Sequence, residues 1–266
     1  MISKNQIKFV KQLEMKKYRQ REGLFVAEGP KVVGDLLVAG FNPHAIYATE
    51  EWSNKAHEAH EAHKSNKANE ANWPHEAHSP HQFTPVSLDE LRKLSFLQHP
   101  QQVLAVFRLP SFFSPLTSHH SPLELALDGI QDPGNLGTII RIADWFGIDS
   151  IVCSLDTADA WSPKVVQATM GSIARVNIIY TDLKEYLNHT TIPVCGTLLD
   201  GDNIYTQKLP QEAIIVMGNE GNGISPDIRQ LVTHRLLIPQ YRPGAESLNV
   251  AIATAITCAE FRRRNT

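Results

Sequence analysis

Three short stretches of this chain concentrate side chains that an apolar core does not favour. DPGNLGTIIRIADWFG (132–147) carries Asn135 and Arg141. GNEGNGIS (218–225) carries Asn219 and Glu220, and YRPGAESLN (241–249) carries Ser247 and Asn249. Amides, a carboxylate, a hydroxyl and a guanidinium can orient a polar substrate and stabilise developing charge. They do not make an obvious proton shuttle. The only nearby histidines, His189 and His234, sit in no polar constellation, so histidine acid–base chemistry is not indicated. A free guanidinium is also a poor base, because arginine stays protonated. Its planar fork suits a phosphate instead.

Each stretch follows a strand-like apolar run and leads into a helical pattern. Ligands of open α/β sheets bind beyond the carboxyl ends of the strands, so three such loops predict one composite pocket. The glycines allow close backbone approach, and free backbone groups can read an adenine edge, which favours a nucleotide-like ligand. No Gly-x-Gly-x-x-Gly fingerprint, Walker loop, serine elbow or His-Glu-x-x-His is present. Plainer readings exist for each residue alone. Ser247 could be a helix cap, Arg141 could pair with Asp144 on a helix surface, and Glu220 could be an exposed turn residue.

The elements that must hold these loops read as follows. LELALDGI (123–130), SIVCS (150–154), ARVNIIY (174–180), IPVCGTLL (192–199), AIIVMG (213–218) and HRLLIP (234–239) are short apolar runs. Helical stretches separate several of them: 137–146, 162–168, 182–188 and 225–232. Continuous apolar strands alternating with helices predict a mostly parallel sheet. A last helix begins near Asn249.

The first hundred residues predict a separate small α/β unit. Residues 3–17 space Ile7, Val10, Leu13 and Glu14 at helical intervals after a capping Ser3. LFVAEGP (24–30) reads as a strand running into a helix with Pro30 near its first position. Residues 32–40 read as a helix stopped by Gly40, 44–49 as a strand, 87–95 as a capped helix and 102–109 as a strand. The resulting domains are 1–110, a linker at 111–122 rich in Ser and Pro, and 123–266.

An insertion at 54–81 repeats Glu-Ala-His and holds His57, His60, His63, His75, His78 and His81. Low complexity without cysteines reads as a solvent-exposed insertion rather than a metal site, so no metal is expected.

Net charge is −3, so no global basic field argues for nucleic acid. The distribution is uneven, however. Residues 1–31 hold Lys4, Lys8, Lys11, Lys16, Lys17, Arg19, Arg21 and Lys31 against three glutamates, and Arg262–Arg264 stand near the end of the chain. These are candidate phosphate contacts. Cys153, Cys195 and Cys258 lie far apart in apolar runs, as buried thiols of a reducing compartment do. No apolar run is long enough to span a bilayer and no secretory signal is legible, so the expected location is cytoplasmic.

Taken together, DPGNLGTIIRIADWFG, IIVMGNEGNGIS and LLIPQYRPGAESLNVAIATAITCAEF resemble the three ordered motifs of the SpoU/TrmH family of RNA ribose 2′-O-methyltransferases, in the SPOUT class. EGPKVVGDLL (28–37) is more loosely similar to the RNA substrate-binding domain of many members. The resemblance implies a trefoil-knotted, mostly parallel α/β domain preceded by a small α/β substrate-binding domain. It implies a homodimer that binds S-adenosyl-L-methionine and RNA, with neither DNA nor membrane as partner. Ribosomal RNA is the favoured substrate. Transfer RNA, or non-catalytic RNA binding, is the alternative. Carried over by position, Asn135, Arg141, Glu220, Ser247 and Asn249 are implied catalytic residues. Thr197, Leu198, Gly218, Asn219, Gly223, Ile238 and Leu248 are implied to cradle the cofactor. The last helix is implied to meet a second subunit through Val250, Ile252, Ala253, Ile256 and Thr257.

Overall fold

Parallel pairing dominates where the sequence has continuous apolar runs. In a computed structural model of the chain, which describes residues 1–54, 83–110, 121–242, 244 and 247–264, six strands form one sheet. They are β5 (Leu123–Asp128), β6 (Ser150–Ser154), β7 (Asn177–Thr181), β8 (Val194–Asn203), β9 (Ala213–Gly218) and β10 (His234–Leu237), in the order β10-β8-β9-β5-β6-β7. Every neighbouring pair is parallel. β5 and β9 are buried along almost their whole length. That is what Leu, Ile, Val and Ala runs specify when both faces are covered.

The order contains a reversal at β5. From β5 the chain moves outward to β6 and β7, whereas β9, β8 and β10 lie on its other side. β5 and β9 are adjacent, in a register that sets Asp128 against Gly218. The loops after these two strands therefore leave the sheet side by side. Such a reversal is where open α/β sheets open a crevice.

After β5 the chain enters helix α5 (Pro133–Trp145). The Asp132 side chain caps it by accepting from the Asn135 amide at 2.8 Å, and Pro133 supplies the first-turn φ. Leu136, Gly137, Ile139, Ile140 and Ala143 form its buried face. The final helix, α9 (Val250–Arg264), packs along α5. β8 runs further than the sequence predicts. Its register on β10 shifts between Arg235/Gly196 and Leu236/Asp202, so Thr197–Gly201 bulge out of the ladder. Gly201 is required there: a Cβ would lie 2.7 Å from the Leu236 carbonyl carbon.

The other compact unit takes its described residues from the first 110 positions together with Trp161–Ala174. Its sheet has β1 (Leu24–Glu28), β2 (Pro43–Ala48), β3 (Phe83–Pro85) and β4 (Val103–Arg108) in the order β1-β4-β2-β3. The β1–β4 and β2–β4 pairs are antiparallel, and β2–β3 is parallel. Strand alternation divides its core. Leu24, Val26, Leu104 and Val106 face one way and pack with Val10 of α1 (Lys4–Gln12) and with Leu91 and Leu94 of α4 (Leu88–Leu94). Phe25 and Phe107 lie in an aromatic cluster with Phe41 and Trp161, and the Phe25 and Trp161 rings are 4.7 Å apart. Trp161 leads into α6 (Pro163–Ala168), which packs on β1. The remaining helices are α2 (Lys16–Glu22), α3 (Pro30–Val38), α7 (Leu183–Asn188) and α8 (Pro226–Arg229).

Two expectations need correction here. The single helix over 3–17 is two helices: α1 keeps the predicted Ser3 cap, with Gln6 completing a capping box, but the chain turns at Leu13–Met15. Buried Arg19 causes the break to persist, because its guanidinium donates to the Leu13 carbonyl at 2.7 Å and the Glu14 carbonyl at 2.6 Å. Arg19 is thus structural, and so is Lys11, which donates to the Ser95 carbonyl and lies over the Phe96 ring. At the other end, Arg262 donates to the Phe146 and Gly147 carbonyls and closes the end of α5, while Arg263 pairs with Glu260. The insertion from residue 55 to 81 and linker residues 111–120 lie outside the described residues. Among the described residues, no helix is long and apolar enough to cross a membrane, and no group of three or more His, Cys, Asp or Glu could hold a metal.

Candidate active site

One hydrogen-bond chain joins the three polar stretches. The Asn249 side-chain amide donates to Asn135 Oδ1 at 2.9 Å, and Asn135 Nδ2 donates to Glu220 Oε1 at 2.9 Å. Three residues separated by up to 114 positions thus meet at the carboxyl end of the sheet. Both ends of the Asn135 carboxamide are engaged, so its orientation is fixed by a donor on one side and an acceptor on the other. Asn135 is placed by the Asp132 cap at the first turn of α5, Glu220 by the turn after β9, and Asn249 by the start of α9.

Asn249 also takes the capping role that Ser247 was expected to hold. Its Oδ1 accepts from the Ala251 amide at 3.0 Å and the Ile252 amide at 3.3 Å. The cap falls to the residue directly before the first helical position, where a side-chain oxygen reaches the second and third amides. Ser247 is exposed two residues earlier, and Leu248 between them is 51% exposed.

Arg141 lies two turns along α5 and is exposed. Asp144, its partner in the plainer surface reading, is bound by Arg175 instead, in a bidentate pair at 2.7–3.1 Å. Among the described residues Arg141 has neither ion pair nor hydrogen bond. Its charge is therefore available to a ligand and outside the Asn249–Asn135–Glu220 chain.

The residues expected to cradle a cofactor occupy three adjacent strand ends. Thr197 and Leu198 lie in the bulge of β8, Gly218 closes β9, and Ile238 follows β10. Leu199 in the same bulge is 77% exposed. Gly218 admits no side chain, because a Cβ would stand 2.2 Å from the Gly223 carbonyl carbon and the Ile224 nitrogen. That contact lets the 218–224 turn close, with Asn219 and Gly223 exchanging two backbone hydrogen bonds of 2.9 Å. Gly223 adopts φ +69, which glycine tolerates. Asn219 is half-buried and engaged by the protein itself: Nδ2 donates to the Gly129 carbonyl at 2.7 Å, and Oδ1 accepts from the Gly221 and Asn222 amides. Its side chain ties the turn together.

Sequence reasoning passed over Asp128, the last residue of β5. It is buried, and its carboxylate accepts from the Ser225 amide at 2.7 Å. The available signal was a charge closing an otherwise apolar strand.

Residues 122–259 match the pattern of the SpoU rRNA Methylase family, and residues 4–105 match the MRM3-like substrate binding domain. A curated relative is the 23S rRNA (guanosine(2553)-2′-O)-methyltransferase RlmP of Bacillus subtilis, 34% identical over 182 residues, which are 66% of this chain and 71% of that one. Among solved structures, a TrmH-family protein from Porphyromonas gingivalis is 39% identical and superposes with a TM-score of 0.82 over 99% of both chains. The AdoMet-bound rRNA methyltransferase from Sinorhizobium meliloti is 27% identical, with a TM-score of 0.81 over 100% of this chain and 97% of that one. With more than half its length under the family pattern, the chain belongs to the SpoU family of S-adenosylmethionine-dependent RNA 2′-O-ribose methyltransferases, and its fold is of the SPOUT class.

Proposed function

We propose that this protein moves the methyl group of S-adenosylmethionine to a ribose 2′-hydroxyl of ribosomal RNA, using Asn135, Arg141, Glu220, Ser247 and Asn249. The observation that carries the reading is the hydrogen-bond chain from Asn249 through Asn135 to Glu220 beside the β5–β9 reversal. A ribose hydroxyl as acceptor requires RNA rather than DNA.

The residues fit the donor. Exposed Leu199 in the β8 bulge and half-buried Ile238 after β10 offer apolar cover on the strands that carry Thr197, Leu198 and Gly218, and Leu248 is exposed just before α9. When bound, S-adenosylmethionine supplies an electrophilic methyl group on a sulfonium. The chain's own task is orientation, which can lower a barrier by roughly 7–11 kcal/mol in favourable systems. Glu220 and Asn249 lock the Asn135 carboxamide, which presents a fixed dipole at the rim. Arg141 would hold a substrate phosphate and stabilise the ribose oxygen as the O–CH3 bond forms and the S–CH3 bond breaks; the hydroxyl proton would pass to solvent water, and S-adenosylhomocysteine would leave. Ser247 contacts substrate from the exposed segment before α9.

The domain at 1–110 binds the RNA and the domain at 123–266 carries the transfer. Exposed Lys4, Lys8, Lys16 and Lys17 are the phosphate contacts of the first domain. The protein acts in the cytoplasm as a homodimer, with Ile252, Ala253 and Ile256 of α9 turned to the second copy. Val250 and Thr257 are buried in their own subunit, so they leave that interface.

Tritiated S-adenosylmethionine incubated with purified ribosomal and transfer RNA tests the reading. Label in alkali-resistant dinucleotides of ribosomal RNA is expected, with loss on Asn135→Ala. Label confined to transfer RNA would move the substrate assignment, and label in neither would end it. Sedimentation of Ile252→Lys beside the parent chain tests the dimer; a monomeric parent would overturn that part.

A further inference from the structure

The turn that carries Glu220 is latched to the end of β5 at two points. At its near end, Asn219 Nδ2 donates to the Gly129 carbonyl at 2.7 Å. At its far end, the Ser225 amide donates to Asp128 Oδ2 at 2.7 Å. Five residues separate Asn219 and Ser225 in the turn, while their anchors are consecutive in the chain. Asn219 Oδ1 also ties the middle of the turn by accepting from Gly221 at 2.9 Å and Asn222 at 3.1 Å. Glu220 sits between these ties.

The anchor is itself held. The Gly129 amide donates to Ser154 Oγ at 2.8 Å, and Ser154 lies at the end of β6. Ser154 Oγ in turn donates to Asp156 Oδ1 at 2.6 Å and lies 2.9 Å from Thr157 Oγ1. Gly129 has φ +70, and a Cβ there would lie 3.1 Å from Asp156 Oδ2, so the position rejects a side chain. The floor under the latch is thus buried, hydrogen-bonded and made of secondary-structure ends. Rigid support of this kind is what keeps a site residue within a fraction of an ångström of its working place.

We propose that Asp128 and Asn219 are positioning residues of the transfer site: together they clamp the 219–225 turn onto Asp128–Gly129 and so hold Glu220 against Asn135. The proposal rests on the methyl-transfer reading above. Asp128 never meets the substrate; it acts by fixing where the Glu220 carboxylate stands. Loss of the clamp releases Glu220, and the Asn135 side chain then keeps only its Asn249 partner.

A double-mutant cycle separates this role from general support of the fold. Transfer to ribosomal RNA is measured for Asp128→Ala, Asp128→Asn and Asn219→Asp, each in the parent chain and in a Glu220→Ala background. In the parent background, Asp128→Ala is expected to lower kcat by about tenfold or more, with KM for RNA within about twofold. Asp128→Asn keeps an acceptor for Ser225 and recovers most of the rate. Asn219→Asp keeps the oxygen that ties the turn but loses the donor to Gly129, so it lowers kcat on its own. In the Glu220→Ala background all three are expected to change kcat by less than about twofold. Equal losses in both backgrounds, or no loss in the parent, overturn the clamp. Should Asp128→Ala not fold, Asn219→Asp alone decides by the same criterion. A parent enzyme that transfers no methyl group overturns the methyl-transfer reading, whereas an active parent with indifferent variants overturns only the clamp.

Discussion

Arg141 and Asn135 stand on one helix yet depend on different kinds of support. Asn135 is gripped by two side chains from other loops, so its value lies in fixed geometry. Arg141 is exposed, has no hydrogen bond or ion pair among the described residues, and brings a positive charge. An exposed arginine is usually a bland feature, worth under about 1 kcal/mol in surface pairing. Here the acid one turn on, Asp144, is already neutralised by Arg175, which leaves the Arg141 charge uncancelled on the helix that carries Asn135. Arg141→Ala is expected to lower kcat by about 100-fold or more, as loss of a group that stabilises charge in a transition state does. Arg141→Lys keeps the charge but not the planar fork, so a smaller loss is expected. Thermal melting of both variants should match the parent, since no internal contact is lost. Near-parent rates for Arg141→Ala would remove it from the mechanism.

Among the elements, the β9–α8 turn is the most exacting. Gly218 closes β9 where the returning backbone of Gly223 and Ile224 leaves no room for a methyl group. Gly218→Ala must push that backbone aside. A clash of this sort with main chain costs about 1–3 kcal/mol. It also displaces Glu220, two residues on. Calorimetric binding of S-adenosylhomocysteine is expected to weaken at least tenfold, with a drop in melting temperature of several degrees for a domain of this size. Unchanged binding would show that the turn has slack. The same argument explains why the GNEGNG pattern was readable as a tight turn, whereas the Thr197–Gly201 bulge was not. Strand pairing to β10 resumes beyond the bulge at Asp202 and Asn203, residues whose own preferences point to a loop.

Across the molecule, burial governs how stability responds to alkali. Desolvation pushes the Cys195 and Cys258 thiols up to about 12 and Cys153 higher still. Tyr180 is raised in the same direction, also chiefly by burial. For these groups the folded state keeps the proton after the unfolded chain has released it. Their contribution is therefore complete below the ordinary thiol value near 9 and is lost as pH rises toward 12. Each thiol removes about 1.4 kcal/mol per pH unit within that window. Urea midpoints should hold between pH 8 and about 9 and then fall steadily to pH 11, and Cys258→Ala should shallow that fall. A flat profile would mean that the thiols are not buried in solution. The same burial makes them inert to alkylating reagents near neutral pH, in keeping with thiols that serve packing alone.

The sequence by itself determined the strand–helix alternation, the parallel character of the second sheet and the three polar loops, because buried runs of branched residues and glycine-bearing turns have few other uses. It also determined the caps at Ser3 and Ser87, since an N-cap is decided within four residues. Only the tertiary structure decided which polar groups meet. Asn249 rather than Ser247 became the cap, Arg175 rather than Arg141 took Asp144, and Arg19, Lys11 and Arg262 turned inward to backbone carbonyls. It likewise placed Trp161 and α6 with the first sheet, although the sequence sets them between β6 and β7. The physical reason is range. Backbone preference and hydrophobic period act over a few residues, but a charge or an amide chooses its partner from whatever the strand order brings near, and a linear sequence does not contain that distance.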